Sequence, residues 1–94
     1  MHQKKNIIGP QVRKLRVNLE LTQEQLTARC GVVGFDISRA TLSHIEAQLR
    51  GVSDLELVLL SKSLRVDVSA LLPRSLPPWH PTDRSGRKNK QKTY

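Results

Sequence analysis

Ninety-four residues suffice for one small domain with a modest core, and the three aromatics, Phe35, Trp79 and Tyr94, leave that core to be built from Leu, Val and Ile. No apolar run approaches the ~18 residues of a membrane span, and the opening MHQKKNIIGP has neither the apolar stretch nor the cleavage site of a secretory signal, so a cytoplasmic protein away from membranes is expected. Cys30 is the only cysteine, which excludes an internal disulfide and a cysteine zinc cluster, while a formal charge of +8 points toward anionic partners.

Gly9-Pro10 opens the first helical pattern, since a proline at a first helical position loses no needed N–H. Val12, Leu15 and Leu19 follow at i, i+3, i+7 as its apolar stripe. Arg16, four residues after Val12, shares that inward side and requires a partner there. Thr22 caps the second helix, QEQLTARC, with Gln23 and Glu24 in its first turn and Gln25 at capping-box spacing. Leu26 and Cys30 stand one turn apart, so Cys30 is expected to fill core space, with a reactive thiol the weaker alternative. This helix ends either at Gly31 or beyond Val33 at Gly34 with Phe35 packing back. The longer version is preferred, because Val33 continues the stripe.

Ser38 is an N-cap, placing a third helix from Arg39 with Leu42, Ile45 and Leu49 on its apolar stripe. Arg39, Ala40, Ser43, His44 and Ala47 fall on the other face, which is small and cationic. Two readings of that face stand side by side. One is the solvated side of an ordinary amphipathic helix; the other is a surface made for close approach, on which Arg39 forks two hydrogen bonds onto a guanine edge. Leu49-Arg50-Gly51 ends the pattern, and Ser53 caps a fourth helix, DLELVLLSKSL. Leu57, Leu60 and Leu64, with Val58 beside them, predict that this helix is the central one. A last short helix is expected near Ser69 to Leu72, led into by Val66 and Val68 and stopped by Pro73.

Residues 73–94 carry four prolines and few apolar side chains, the composition of a segment that does not repay its ordering entropy, so a flexible tail is expected. Trp79 within it is either a solvated linker residue, the preferred reading, or an anchor for the domain or a partner. The charge is unevenly distributed. Residues 1–5 hold two lysines, residues 6–72 hold eight cations against seven anions, and residues 73–94 hold six cations against Asp83, giving +2, +1 and +5. Long-range attraction therefore resides in the ends, and the middle must act through side-chain placement. The expected organisation is an arm over 1–8, a domain over 9–72 and a basic Pro-rich tail over 73–94.

Five helices with short connections, together with LTQEQLTARCG, ATLSHIEAQL and VDVSALL, resemble the phage-repressor helix-turn-helix family that includes lambda repressor and Cro. The resemblance spans about residues 9–72 and implies an all-α, five-helix domain whose third helix lies in the DNA major groove while the second crosses the backbone above it. It assigns Gln23 to a phosphate, at a helix N-terminus that already favours anions. It makes Arg39, Ala40 and His44 base-reading positions, and it places Ser43 and Thr41 where family members touch bases or phosphates. Ser43 is taken here as a base reader and Thr41 as a phosphate ligand. Arg39 is matched to guanine and Ala40 to a thymine methyl; His44 either reads a base edge, abuts a phosphate or stays solvated. Gln48 and Arg50, just past the helix, suit phosphate clamps. The resemblance also supplies the missing partner of Arg16, pairing it with Glu46 as a structural ion pair with no DNA contact.

Two departures stand out. Val32-Val33-Gly34-Phe35-Asp36 is inserted where the family turns tightly, either lengthening the second helix and adding Phe35 to the core, the preferred outcome, or bulging outward. Arg65 stands where a C-cap glycine is usual. The expected function is sequence-specific binding of double-stranded DNA by a repressor-like, nucleoid-associated transcription regulator. It would act as a homodimer on an inverted repeat, without cofactor or metal. The alternative is a protein-interaction module or antitoxin-type partner on the same scaffold, binding through the C-terminal tail. Catalysis is not expected, because His2, His44 and His80 are scattered and His44 and Glu46, two residues apart, do not face each other on a helix.

Overall fold

The computed structural model describes residues 4–75, which form α1 (Gly9–Asn18), α2 (Gln23–Val32), α3 (Arg39–Glu46), α4 (Asp54–Leu64) and a final 3-10 turn, Val68–Leu71. Thus four α-helices precede a single tight turn where the sequence predicts a fifth helix. Only four residues separate Asp67 from the extended Leu72, too few for a hydrogen-bonded α-helical run. The predictions made for Trp79 and the rest of the tail beyond Ser75 fall outside the described residues.

Three serine or threonine caps start helices as their chemistry requires. The hydroxyl of Thr22 accepts from the Gln25 N–H, that of Ser38 from Thr41, and that of Ser53 from Glu56. In return the Thr22 and Ser53 backbone N–H groups donate to Oε1 of Gln25 and Glu56, which completes capping boxes at α2 and α4. The core consists of Ile8, Val12, Leu26, Cys30, Phe35, Leu42, Ile45, Leu60, Leu64 and Leu71, drawn from all four helices and the final turn together with Ile8 before α1 and Phe35 between α2 and α3. Leu57, Val33 and Val66 pack against its edge. Burial pushes the Cys30 thiol up from its ordinary range, against a smaller opposing effect of the Ser63 hydroxyl, so the side chain stays protonated as core filler.

The ends of the helices correct two expectations. Leu19 and Leu49 are 44% and 48% exposed rather than members of the inward stripes. In each case the helix has already closed, α1 at Asn18 and α3 at Glu46, and the next residues reverse direction. All four helices finish in the same way. A residue with left-handed backbone (Glu20, Gly34, Gln48 or Arg65) follows the last turn, and the next N–H reaches back into the helix, as in Leu21 to Arg16, Phe35 to Cys30, Leu49 to His44 and Val66 to Ser61. The inserted residues 32–36 therefore extend α2 to Val32 and let Gly34 (φ 94°) turn the chain, which delivers Phe35, 7% exposed, into the core beside Cys30.

Residues 5–8 pack with the domain. Ile8 lies in the core, and the Lys5 N–H donates to the Gln48 carbonyl at 3.0 Å. The Asn6 amide donates to the carbonyls of Ile45 (3.0 Å) and Arg50 (2.8 Å), and its Oδ1 accepts from the N–H groups of Ile8 and Gly9. One side chain thus caps the start of α1 and holds the chain leaving α3.

Candidate nucleic-acid interface

α3 divides into two faces because its apolar residues recur with the helical period. Leu42 and Ile45 are fully buried and Glu46 is 7% exposed, so the opposite side, with Arg39, Ala40, His44 and Ala47, is open and Ser43 is partly so. The structure therefore brings the four sequence-predicted base readers, Arg39, Ala40, Ser43 and His44, onto one face. None of the four is tied by a side-chain hydrogen bond to another described residue, whereas the Thr41 hydroxyl lies 3.0 Å from that of Ser38 at the cap. A face of two alanines, a serine, a histidine and an arginine has little side-chain bulk at its centre and a cation at its N-terminal end.

Behind that face, Glu46 is held on three sides. Arg16 donates from Nε to Oε2 at 2.7 Å and from Nη2 to Oε1 at 3.1 Å, and Gln23 Nε2 donates to Oε1 at 3.0 Å. The remaining Arg16 Nη1 donates to the Leu21 carbonyl at 2.8 Å. The two charged side chains are only 11% and 4% exposed, so each neutralises a partner that would otherwise be costly to bury. The same network ties the start of α2, the last turn of α1 and the end of α3 into one unit, which fixes the tilt of the open face.

The three other candidate phosphate ligands already have internal partners. The Gln23 amide belongs to the Glu46 cluster. Gln48 Nε2 donates to the Asn6 carbonyl at 3.0 Å. Arg50 forks onto Glu56 at 3.1 and 3.0 Å, a contact that raises the guanidinium pKa and lowers that of the carboxyl. Each retains unused donors: a second N–H on each amide nitrogen and Nε–H on Arg50. Two structural residues went unnoticed in the sequence. Asn6 precedes the Gly-Pro helix start at a spacing typical of a cap, and Glu56 stands three residues after the Ser53 cap, so both carried a local signal.

Among the described residues no helix is long and apolar enough to cross a membrane. A comparison with curated proteins gave no match. Among solved structures, the restriction-modification controller protein C.AhdI from Aeromonas hydrophila is similar, with 26% identity and a TM-score of 0.61 over 69% of this chain and 91% of that one. A hypothetical transcription factor, NHTF, from Neisseria shares the fold at 24% identity and a TM-score of 0.63, over 89% of this chain and 84% of that one. A family profile described as helix-turn-helix (HTH_3) matches residues 12–71, which runs from the first core residue of α1 to the last of the 3-10 turn. With α2 and α3 joined by a turn and α3 presenting an open face over a buried arginine–glutamate pair, the chain belongs to the Cro/C1-type helix-turn-helix family of DNA-binding transcription regulators.

Proposed function

We propose that this protein reads a specific double-stranded DNA site by laying α3 in the major groove, with Arg39, Ala40, Ser43 and His44 facing base edges, and that it acts as a repressor. The observation that carries the reading is the clustering of these four side chains on a single open face whose reverse is locked by Arg16, Gln23 and Glu46. Preorganisation of this kind matters because a groove contact made by a wobbling helix loses ordering entropy on binding. Arg39 is the strongest discriminator, as a guanidinium matches N7 and O6 of guanine with two parallel hydrogen bonds worth about 1–3 kcal/mol against a wrong base.

The flanking donors position the helix. One free N–H on Gln23 and one on Gln48, the Thr41 hydroxyl, and Nε–H of Arg50 serve phosphates on either side of the groove without surrendering their internal bonds. One such domain covers few base pairs, so a homodimer on an inverted repeat supplies the remaining specificity. The test is selection of bound fragments from random genomic DNA, followed by titration of the selected site with wild type and Arg39→Ala. Wild type is expected to prefer the selected site over bulk DNA, and Arg39→Ala to lose about 10-fold or more of that preference while retaining non-specific binding, in line with a lost bidentate contact. An undiminished preference in Arg39→Ala would sink the groove-reading assignment.

A further inference from the structure

An apolar cleft of about 270 Å³ lies between residues 5–8, which strap the N-terminus to the domain, the start of α4 and the end of the 3-10 turn, walled by Asn6, Ile7, Ile8, Val52, Leu57 and Leu72. Its floor is core: Ile8 is 4% exposed and Leu57 packs on the central cluster. Its rim is apolar and open to water, with Ile7 39% and Leu72 40% exposed. An apolar depression left open in this way favours an occupant.

The chain itself leaves the domain at this rim. Leu72 is a wall of the cleft, the described residues stop at Ser75, and the next four are Leu76-Pro77-Pro78-Trp79, which include the only tryptophan of the protein. We propose that Leu76–Trp79 folds back onto its own domain and seats the Trp79 indole in the cleft. Six residues lie between Leu72 and Trp79, giving seven Cα–Cα steps and a reach of up to about 24 Å when extended, and the target begins at Leu72 itself. The paired prolines restrict this segment before it docks, which lowers the entropy lost on docking. In the polyproline conformation they favour, with three residues per turn, Leu76 and Trp79 fall on one side. Attachment at the rim also gives the segment a far higher effective concentration than a second copy in dilute solution, which favours the chain's own tail as occupant. An indole fits a site of this kind, since its ring is buried against aliphatic walls while its N–H stays at the wet rim. On the DNA-binding reading, on which only this consequence rests, docking starts the basic run Arg84–Lys92 from the side of the strap, where Asn6 holds the end of α3.

Because Trp79 is the only tryptophan, its fluorescence reports the proposal directly on the full chain without DNA. Emission shifted to shorter wavelength than free tryptophan, with acrylamide quenching reduced several-fold and no change over a hundred-fold range of protein concentration, is expected. Two variants must each return emission and quenching to the values of free tryptophan: Ile7→Asp combined with Leu72→Asp at the rim, checked for retained helix by circular dichroism, and Leu76→Asp in the tail, which leaves the domain untouched. Solvent-like emission in the wild type overturns the proposal. So does burial that appears only as concentration rises, which assigns the cleft to a second copy, or burial that persists in the Leu76→Asp chain. All these outcomes are independent of whether a DNA site is found.

Discussion

Single residues in this domain divide between those that hold and those that face outward, and the Arg16–Glu46 pair is the clearest of the first kind. Glu46→Gln removes the charge that neutralises a guanidinium 11% exposed, so the variant is expected to lose about 3–5 kcal/mol in urea unfolding. The double variant Arg16→Met with Glu46→Leu should recover most of that loss, because neither charge is then left unpaired. Glu56 offers a test by pH. Its carboxyl is held below the ordinary range, first by Arg50 and then by the Ser53 backbone, so the unfolded state binds its proton more readily than the native one. The stabilisation is fully present above the unfolded carboxylate value of about 4.3 and is lost as pH falls through the lower native value. Glu56→Gln should therefore flatten the acid limb of stability below about pH 4.3 and change its slope little at pH 7, measured by thermal unfolding across pH. Asn6 works at the same scale with neutral groups alone, and Asn6→Ala should expose its effect as a fall in Tm of several degrees.

At the scale of elements, the packing of α1 on α3 rests on one missing methyl group. A Cβ on Gly9 would stand 2.3 Å from the Ile45 carbonyl oxygen and 2.7 Å from that of Glu46, both backbone atoms, so Gly9→Ala must push the two helices apart. The expected result is a destabilised domain with weaker DNA binding, read by calorimetry and by titration of the selected site. The helix ends predict the opposite sign. Arg65 holds φ 60° and ψ 42° where glycine carries no steric penalty, so Arg65→Gly is expected to stabilise the domain by about 1 kcal/mol in urea unfolding. These ends also show what was legible beforehand. The starts of α2, α3 and α4 were readable because Thr22, Ser38 and Ser53 act on N–H groups only three residues away. The open face of α3 was readable for the same reason, since period and residue size are local properties. Leu19 and Leu49 misled because the apolar period continues past the helix end, Leu19 just before the left-handed Glu20 and Leu49 just after the left-handed Gln48, and only one of the four reversals is marked by glycine. The strap formed by residues 5–8 was legible only in part: Asn6 has a local cap signal toward Gly9, but it also binds carbonyls 39 and 44 positions away, and no local pattern encodes such a distance.

For the whole molecule, the uneven distribution of charge along the sequence carries the main expectation. Residues 6–72 hold a net charge of only +1, whereas residues 73–94 hold +5, so on the proposed function the domain would supply recognition and the tail long-range attraction. Removing residues 73–94 should reduce the slope of log affinity against log salt, by an amount bounded by the six cations lost, while the preference for the selected site persists. Loss of the preference itself would place sequence reading in the tail. The open face of α3 has one more consequence, for the history of such proteins. Arg39, Ala40, Ser43 and His44 contribute no side-chain hydrogen bond to the described fold, while the residues behind them carry the ion pair and the core. Exchanging these four is thus expected to be nearly neutral for folding, so, on the proposed function, new operators would be accessible to the lineage by drift across a surface on which stability exerts little selection. The same four positions are where a designer would begin to retarget it.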